Sequence, residues 1–387
     1  MSEQSFEVEH RITPVELFFD LVFVFAFTQV TFVFLHDPTW NGVGQGLLIL
    51  AVLWWAWASY AWLTNSFDAG DDRVLGALLV AMAGMFVCAL AVPEAFGSDG
   101  VVFGVSFLVV AVMHLALYAV SARAEPEFFR AVLHIVPASL GGAALILIAG
   151  FVDGGWKSAL WIAALAVGFL GPFFVDVSNW RLAPAHFIER HGLIVIIAIG
   201  ESLVAIGLGA RGTDLDAGVI VAALLGLVVA TSFWLAYFDF FPIRAQQLLA
   251  DREGAARIAL ARDVYTYLHL PMVAAIVLFA YALEVTLAHV GAELDTIPAF
   301  ALCVGPAIYL LSFVGLRYRV SRSLGRGRTV TALACIAVFP LALAIPALAA
   351  LALITAIWVA FHAYELIWWR DERARTRRLR SADTASP

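Results

Sequence analysis

Two acidic residues stand inside apolar runs of this 387-residue chain, and each follows a histidine by ten positions. Asp20 lies in HRITPVELFFDLVFVFAFT behind His10, and Glu201 lies in HGLIVIIAIGESLVAIGLG behind His191. The two pairs are offset by the same 181 positions. A carboxylate at membrane depth is costly, and where it persists it marks a solute or ion pathway or a proton relay. Its recurrence at matching places points to two related halves. The chemistry within reach is the binding and release of a proton, a cation or a small solute. No Ser–His pair, HExxH or paired-aspartate motif is present, so the chain reads as a non-enzyme with no cofactor and no metal centre.

The neighbours of each acid sharpen this. Thr13-Pro14-Val15-Glu16 reads as a capping box with Pro at the first helical position, so Glu16 has a structural role open to it beside a functional one. Asp20 lies one turn deeper. Its helical stripe runs Glu16, Asp20, Phe27, Thr31 and is expected to face the bundle interior, with the Phe- and Val-rich remainder facing lipid. The structural alternative for Asp20 is a carboxylate satisfied by a neighbouring helix end or by an arginine such as Arg181 or Arg190. Glu201 sits deeper still. Ten residues beyond His191, at a rise of about 1.5 Å each, put it roughly 15 Å into the bilayer. Ala198, Ser202, Ala205 and Gly209 flank it at helical spacing, and small residues let helices approach closely. Glu201 is thus a proton carrier or cation ligand or, alternatively, a neutral acid hydrogen-bonded between helices. At the entrance to this helix stand His186, Glu189, Arg190 and His191. They read either as a relay or gate, with His10 in the matching place, or as an ion-pair cluster that caps the helix. The histidines read as entrance or anchoring groups rather than direct partners of the acids.

The elements that must position these residues follow from composition. The chain is 63% hydrophobic and 14% charged, far from the balance of a soluble domain. Apolar runs long enough to span a bilayer recur along its whole length. Twelve can be drawn: 15–35, 43–64, 74–93, 101–121, 130–152, 158–176, 192–209, 217–240, 264–288, 298–316, 329–345 and 347–369. The last two form one long run divided at Pro340 and Pro346, so ten or eleven spans are alternatives. Because lipid offers no hydrogen bonds to the backbone, the fold class is an all-α polytopic membrane bundle. The acidic start (Glu3, Glu7, Glu9) and a first run of spanning length argue against a cleaved signal peptide.

Charge gives the orientation. Of 23 Lys and Arg, all but Lys157 and Arg211 fall on the two tails and the even-numbered connections. The positive-inside rule then places both termini in the cytoplasm. The basic tail, 371–387, is expected to be a cytoplasmic flank that can touch anionic lipid. Nothing resembles a nucleic-acid module. The expected partners are the bilayer and an unidentified small solute or ion. Cys88, Cys303 and Cys335 lie in separate runs and read as packing residues. A six-and-six division, 1–180 and 181–370, pairs Trp57 and Tyr60 with Trp234 and Tyr237, and Arg130 with Arg328. Two six-span halves would share one orientation, a repeat pattern found in transporters.

TPVELFFDLVFVFAFTQ near the start and ERHGLIVIIAIGESLVAIG past the midpoint resemble the bacterial low temperature requirement A family over the whole layout of the chain. The matching positions are Glu16, Phe18, Phe19, Asp20, Glu189, Arg190, His191, Gly200, Glu201 and Ser202. The resemblance implies a multi-pass membrane protein linked by its family name to growth in the cold, and it names no substrate. Phe18-Phe19-Asp20-Leu21-Val22-Phe23 is also similar to a Phe-Ser-Asp-Gly-Val-Phe stretch of lysosomal-type potassium channels that lack a pore loop. Phe19, Leu21 and Pro14 depart from the Ser, Gly and Arg of that motif. Three functions follow as expectations: a secondary transporter, proton- or cation-coupled, using Asp20 and Glu201; a channel lined by the first and seventh spans; or a non-transporting factor in cold or envelope stress.

Overall fold

The first helix starts where the sequence predicts. Thr13 accepts a hydrogen bond from the Glu16 amide, the Glu16 carboxylate accepts from the Thr13 amide, and Pro14 occupies the first turn. The computed structural model describes residues 12–65, 72–122, 126–174, 180, 182–239 and 241–368, with the backbone alone at 72, 73 and 128. His10 and Arg181 lie outside the described residues. The fold is 86% helix with no strand among the described residues.

Two compact units emerge, one from Met1–Ile197 with Leu249–Leu270 and one from Ala198–Leu248 with Pro271–Pro387. The first holds α1 (Pro14–His36), α2 (Trp40–Thr64), α3 (Asp72–Leu90), α4 (Gly100–Ser121), α5 (Pro126–Ala149), α6 (Gly155–Leu170) and the start of α7 (Pro184–Gly209). The end of α9 (Phe241–Ala250) and all of α10 (Gly254–Ala261) also belong to it. So does a π-helical turn over Arg262–Tyr267. The second unit holds the rest of α7, α8 (Ala217–Phe238), most of α9, nearly all of α11 (His269–Ala288), α12 (Thr296–Ser321), α13 (Arg326–Ala342) and α14 (Ala347–Trp368).

Among the described residues ten helices are long and apolar enough to cross a membrane. Ten of the twelve expected runs meet that measure. Val74–Leu90 is a shorter apolar helix, and α13 has 17 residues. The long final run breaks between Ala342 and Ala347, so Pro346 marks the interruption while Pro340 lies inside the last turns of α13. The broken backbone is satisfied across the second unit, where the amides of Ala347 and Leu348 donate to the carbonyls of Ala292 and Val290.

Each unit packs through aromatic rings and close backbone approaches. In the first, a Cβ on Gly104 would lie 2.5 Å from the Leu147 Cα, so only glycine permits this contact of α4 with α5. In the second, Gly209 similarly admits the Glu284 carbonyl, and Phe233, Tyr309 and Trp358 form an aromatic core. On α1 the expected stripe of Glu16, Asp20, Phe27 and Thr31 is buried, whereas Leu17, Phe18 and Leu21 are exposed. That division suits a helix with lipid on one side and protein on the other.

Candidate functional site

The acids of α1 meet the start of α7 inside the first unit. Glu16 and Asp20, one turn apart, point to the same side and receive one guanidinium between them. Arg190 donates through Nη1 to Glu16 Oε1 at 2.8 Å and through Nη2 to Asp20 Oδ1 at 2.7 Å. Its Nη1 also donates to Thr64 Oγ1 at 2.9 Å, at the end of α2. Trp57, nearly two turns back on α2, donates its indole N–H to the same Asp20 Oδ1 at 2.9 Å. The Arg190 side chain is 1% exposed, and those of Glu16 and Asp20 are 3% and 1% exposed. Charge-assisted bonds of this length are among the strong ones, and sealing from water raises the cost of removing any member.

His186, one turn before Arg190, reaches Glu16 through Nε2 at 3.3–3.4 Å. Its other nitrogen is fixed by Asn65. Asn65 Oδ1 accepts from the Ala183 amide at 2.8 Å, which identifies Nδ2 as its donor end. Nδ2 then gives one hydrogen to the Ala183 carbonyl and the other to His186 Nδ1, both at 3.0 Å. His186 Nδ1 is therefore an acceptor, and the imidazole is the neutral tautomer with its proton on Nε2, aimed at Glu16.

His191 turns away from the acids. Its Nδ1 bonds the Phe187 carbonyl at 2.8 Å. Its ring lies among Trp57, Phe187, Tyr265 and His269, with centroids 4.4–5.4 Å away. The π-helical turn supplies one wall. Its widened backbone lets the Thr266 carbonyl accept the Trp54 indole N–H at 2.8 Å, while the Thr266 hydroxyl accepts that of Trp62 at 2.9 Å. Single π turns inside helices are frequent at functional sites.

Sequence reasoning placed the histidines at an entrance, apart from the acids. In the structure His186 touches Glu16 directly, within an ion-pair cluster at the start of the helix, and both His186 and His191 are buried. Glu189, on the opposite side of α7, is exposed. Of the arginines weighed as partners for Asp20, Arg190 fills the role. Glu201 and Ser202, eleven and twelve residues beyond Arg190 on α7, are buried in the second unit. Trp57, Thr64 and Asn65 were not read as site residues. Trp57 had been noted only for its spacing to Tyr60, and Thr64 and Asn65 gave no signal beyond ending a helix.

The second unit does not repeat this arrangement at its matching aromatic. Trp234, 177 positions after Trp57, is 45% exposed and stacks on Phe238. Among the described residues no group of three or more His, Cys, Asp or Glu is arranged to hold a metal ion.

Comparison with known proteins agrees with the two motifs. An "Uncharacterized protein RA0937" of Rhizobium meliloti (strain 1021) is 29% identical over 323 residues, covering 80% of this chain and 78% of its own. No solved structure matches. The family described as bacterial low temperature requirement A protein matches residues 11–363, and those residues include Glu16, Asp20, Arg190 and the helices that carry them. With ten helices among the described residues long and apolar enough to cross a membrane, the chain is a multi-pass helical membrane protein belonging to the bacterial low temperature requirement A (LtrA) family.

Proposed function

We propose that this protein is a secondary transporter of the bacterial cytoplasmic membrane, coupled to a proton or cation. In this reading it has twelve spans in two six-helix repeats, both termini cytoplasmic, and no enzymatic step. One observation carries the proposal: the cluster of Glu16, Asp20 and Arg190 is sealed from water yet holds two carboxylates for one guanidinium. A site built only for stability has no use for the surplus acid, because an unbalanced buried charge is strongly unfavourable. A site that takes up and releases a positive charge requires it.

A second feature supports a solute. On the other face of α2, Trp55, Ser59, His114, Ser139 and Gly168 line a mostly apolar cavity. His114 Nε2 lies 3.1 Å from the Ser59 carbonyl and is fixed by it. Cavities of this kind, apolar with a few placed polar groups, suit small solutes. Because α2 carries Trp57 and Thr64 on one side and Trp55 and Ser59 on the other, a shift of this helix would tie solute binding to the charge cluster.

The purified chain in proteoliposomes, with a pH-sensitive dye trapped inside, tests the reading. Saturable proton movement on addition of candidate solutes is expected, lost in Asp20→Asn and reduced in Glu201→Gln. Steady unitary currents at fixed voltage would instead identify a channel. Wild-type proton movement and cold growth in a variant carrying both Asp20→Asn and Glu201→Gln would rule out the site.

A further inference from the structure

The cluster fixes where its exchangeable positive charge resides. We infer that the site binds a single proton, on Asp20 Oδ2, and that this proton is the coupling ion. The inference rests on the transport reading only for the word coupling.

Among the described residues the charges are set by three groups. Glu16 and Asp20 each bring one negative charge when ionised, and Arg190 brings one positive. The histidines bring none. His186 is neutral because Asn65 donates to its Nδ1. His191 uses Nδ1 as donor to the Phe187 carbonyl, and its Nε2 has no hydrogen-bond partner, so a proton there would be an unsatisfied buried charge. His269 is likewise held by the Val264 carbonyl at 2.9 Å. From α2 the cluster meets Trp57, Thr64 and Asn65, none of which carries charge. On α3, also packed against α1, the one ionisable side chain described is Cys88, whose thiol faces the Phe103 carbonyl. With both acids ionised the cluster has one negative charge too many.

The atoms say which acid takes the proton. Both oxygens of Glu16 are covered by donors: Oε1 by Arg190, Oε2 by the amide and hydroxyl of Thr13 and by His186. A proton there would displace a donor. Asp20 is asymmetric. Its Oδ1 accepts from both Trp57 and Arg190, and its Oδ2 is buried without a hydrogen-bond partner. That is the pattern of a carboxylic acid whose carbonyl oxygen takes the donors and whose hydroxyl is the other oxygen. A bare carboxylate oxygen stripped of all donors would cost far more. A metal cation fits poorly, since it needs several oxygen ligands and the polar groups nearest Asp20 are N–H donors. In the bound state Oδ2 carries hydrogen; on release the O–H bond breaks, the proton leaves to water, and the carboxylate turns to Arg190.

Infrared spectroscopy of the full-length chain in detergent tests this without any transport assay. Asp20 is the one buried aspartate among the described residues. A protonated-carboxyl band at neutral pH should therefore shift when aspartate side-chain carboxyls are carbon-13 labelled. It should vanish in Asp20→Asn and persist in Glu201→Gln. A band that ignores the aspartate label, or that survives Asp20→Asn, overturns the inference. The label test uses the wild-type chain, so it stands even if Asp20→Asn fails to fold. An Asp20 band with no solute-linked proton movement would leave the inference standing and remove the transport reading. Sodium-driven flux with no aspartic acid band would do the reverse.

Discussion

Arg190 in the first unit and Arg328 in the second are built from the same parts and come to opposite ends. Each has an acid, a further oxygen and an aromatic ring. Arg328 lies over the Phe313 ring at 4.1 Å, donates to the Ala236 carbonyl at 3.3 Å and meets Glu365 at 3.4 Å. Its side chain is 24% exposed and that of Glu365 is 15% exposed. Arg190 makes bonds of 2.7–2.9 Å, is 1% exposed, and faces two acids. A neutral, partly wet pair ties helices together and can lose a member cheaply. A dry cluster with one acid to spare cannot lose its cation, and it answers to the arrival or departure of another.

The largest expected effect is accordingly at Arg190. Arg190→Met leaves Glu16 and Asp20 facing each other without a cation, and removing one partner of a buried pair costs about 3–5 kcal/mol. Urea or thermal unfolding in detergent should show this loss, with Arg328→Met losing far less. Equal losses at the two arginines would erase the contrast. Because Asp20 already carries its proton, the charge left stranded is that of Glu16, so adding Asp20→Asn to Arg190→Met should recover little of the loss, as a double-mutant cycle reads directly.

Trp57 gives the next effect, and its size reports the state of Asp20. The indole N–H donates to Asp20 Oδ1, so Trp57→Phe removes that hydrogen bond along with part of a buried ring, whose loss adds a packing cost independent of pH. To a neutral carboxyl that bond contributes about 1 kcal/mol, and to a carboxylate about 1.5–3 kcal/mol. With Asp20 protonated the smaller value is expected at neutral pH. It should grow as rising pH removes the proton, because the ionised oxygen then depends more on its donors. A cost independent of pH would mean that Asp20 does not change its protonation in the range measured.

Much of this was legible in the residues. The capping box of Thr13 and Glu16, the buried stripe through Asp20 and the positions of the apolar helices follow from local rules of spacing and chain chemistry. The number of spanning helices was less legible. Hydropathy marks apolar runs, but Val74–Leu90 is short and α13 continues through Pro340 to Ala342. The partners of Asp20 were only half legible. Arg190 could be named as a candidate because a buried acid needs a cation. Choosing it depends on how α1, α2 and α7 pack, which no local pattern encodes. The neutral state of His186 was out of reach, since it depends on Asn65, 121 positions earlier, being turned by the Ala183 backbone. The matching spacing of Trp57 and Trp234 misled in one respect, because one ring is buried against an acid and the other is 45% exposed.

The smallest effect tests the other side of the comparison. Glu365→Gln keeps an oxygen within reach of Arg328 and leaves the Phe313 ring and the Ala236 carbonyl in place. The pair is partly solvated, so the loss should be about 0–1 kcal/mol. Part of that loss should disappear at high salt, because counter-ions screen an exposed pair and reach a buried one poorly. The Arg190→Met loss, set inside the protein, should hardly respond to salt. Unfolding midpoints of both variants at low and high ionic strength check this. If Glu365→Gln were as costly as Arg190→Met and equally blind to salt, the second unit would hold a sealed charge site of its own, and the surplus acid at Asp20 would no longer set the first unit apart.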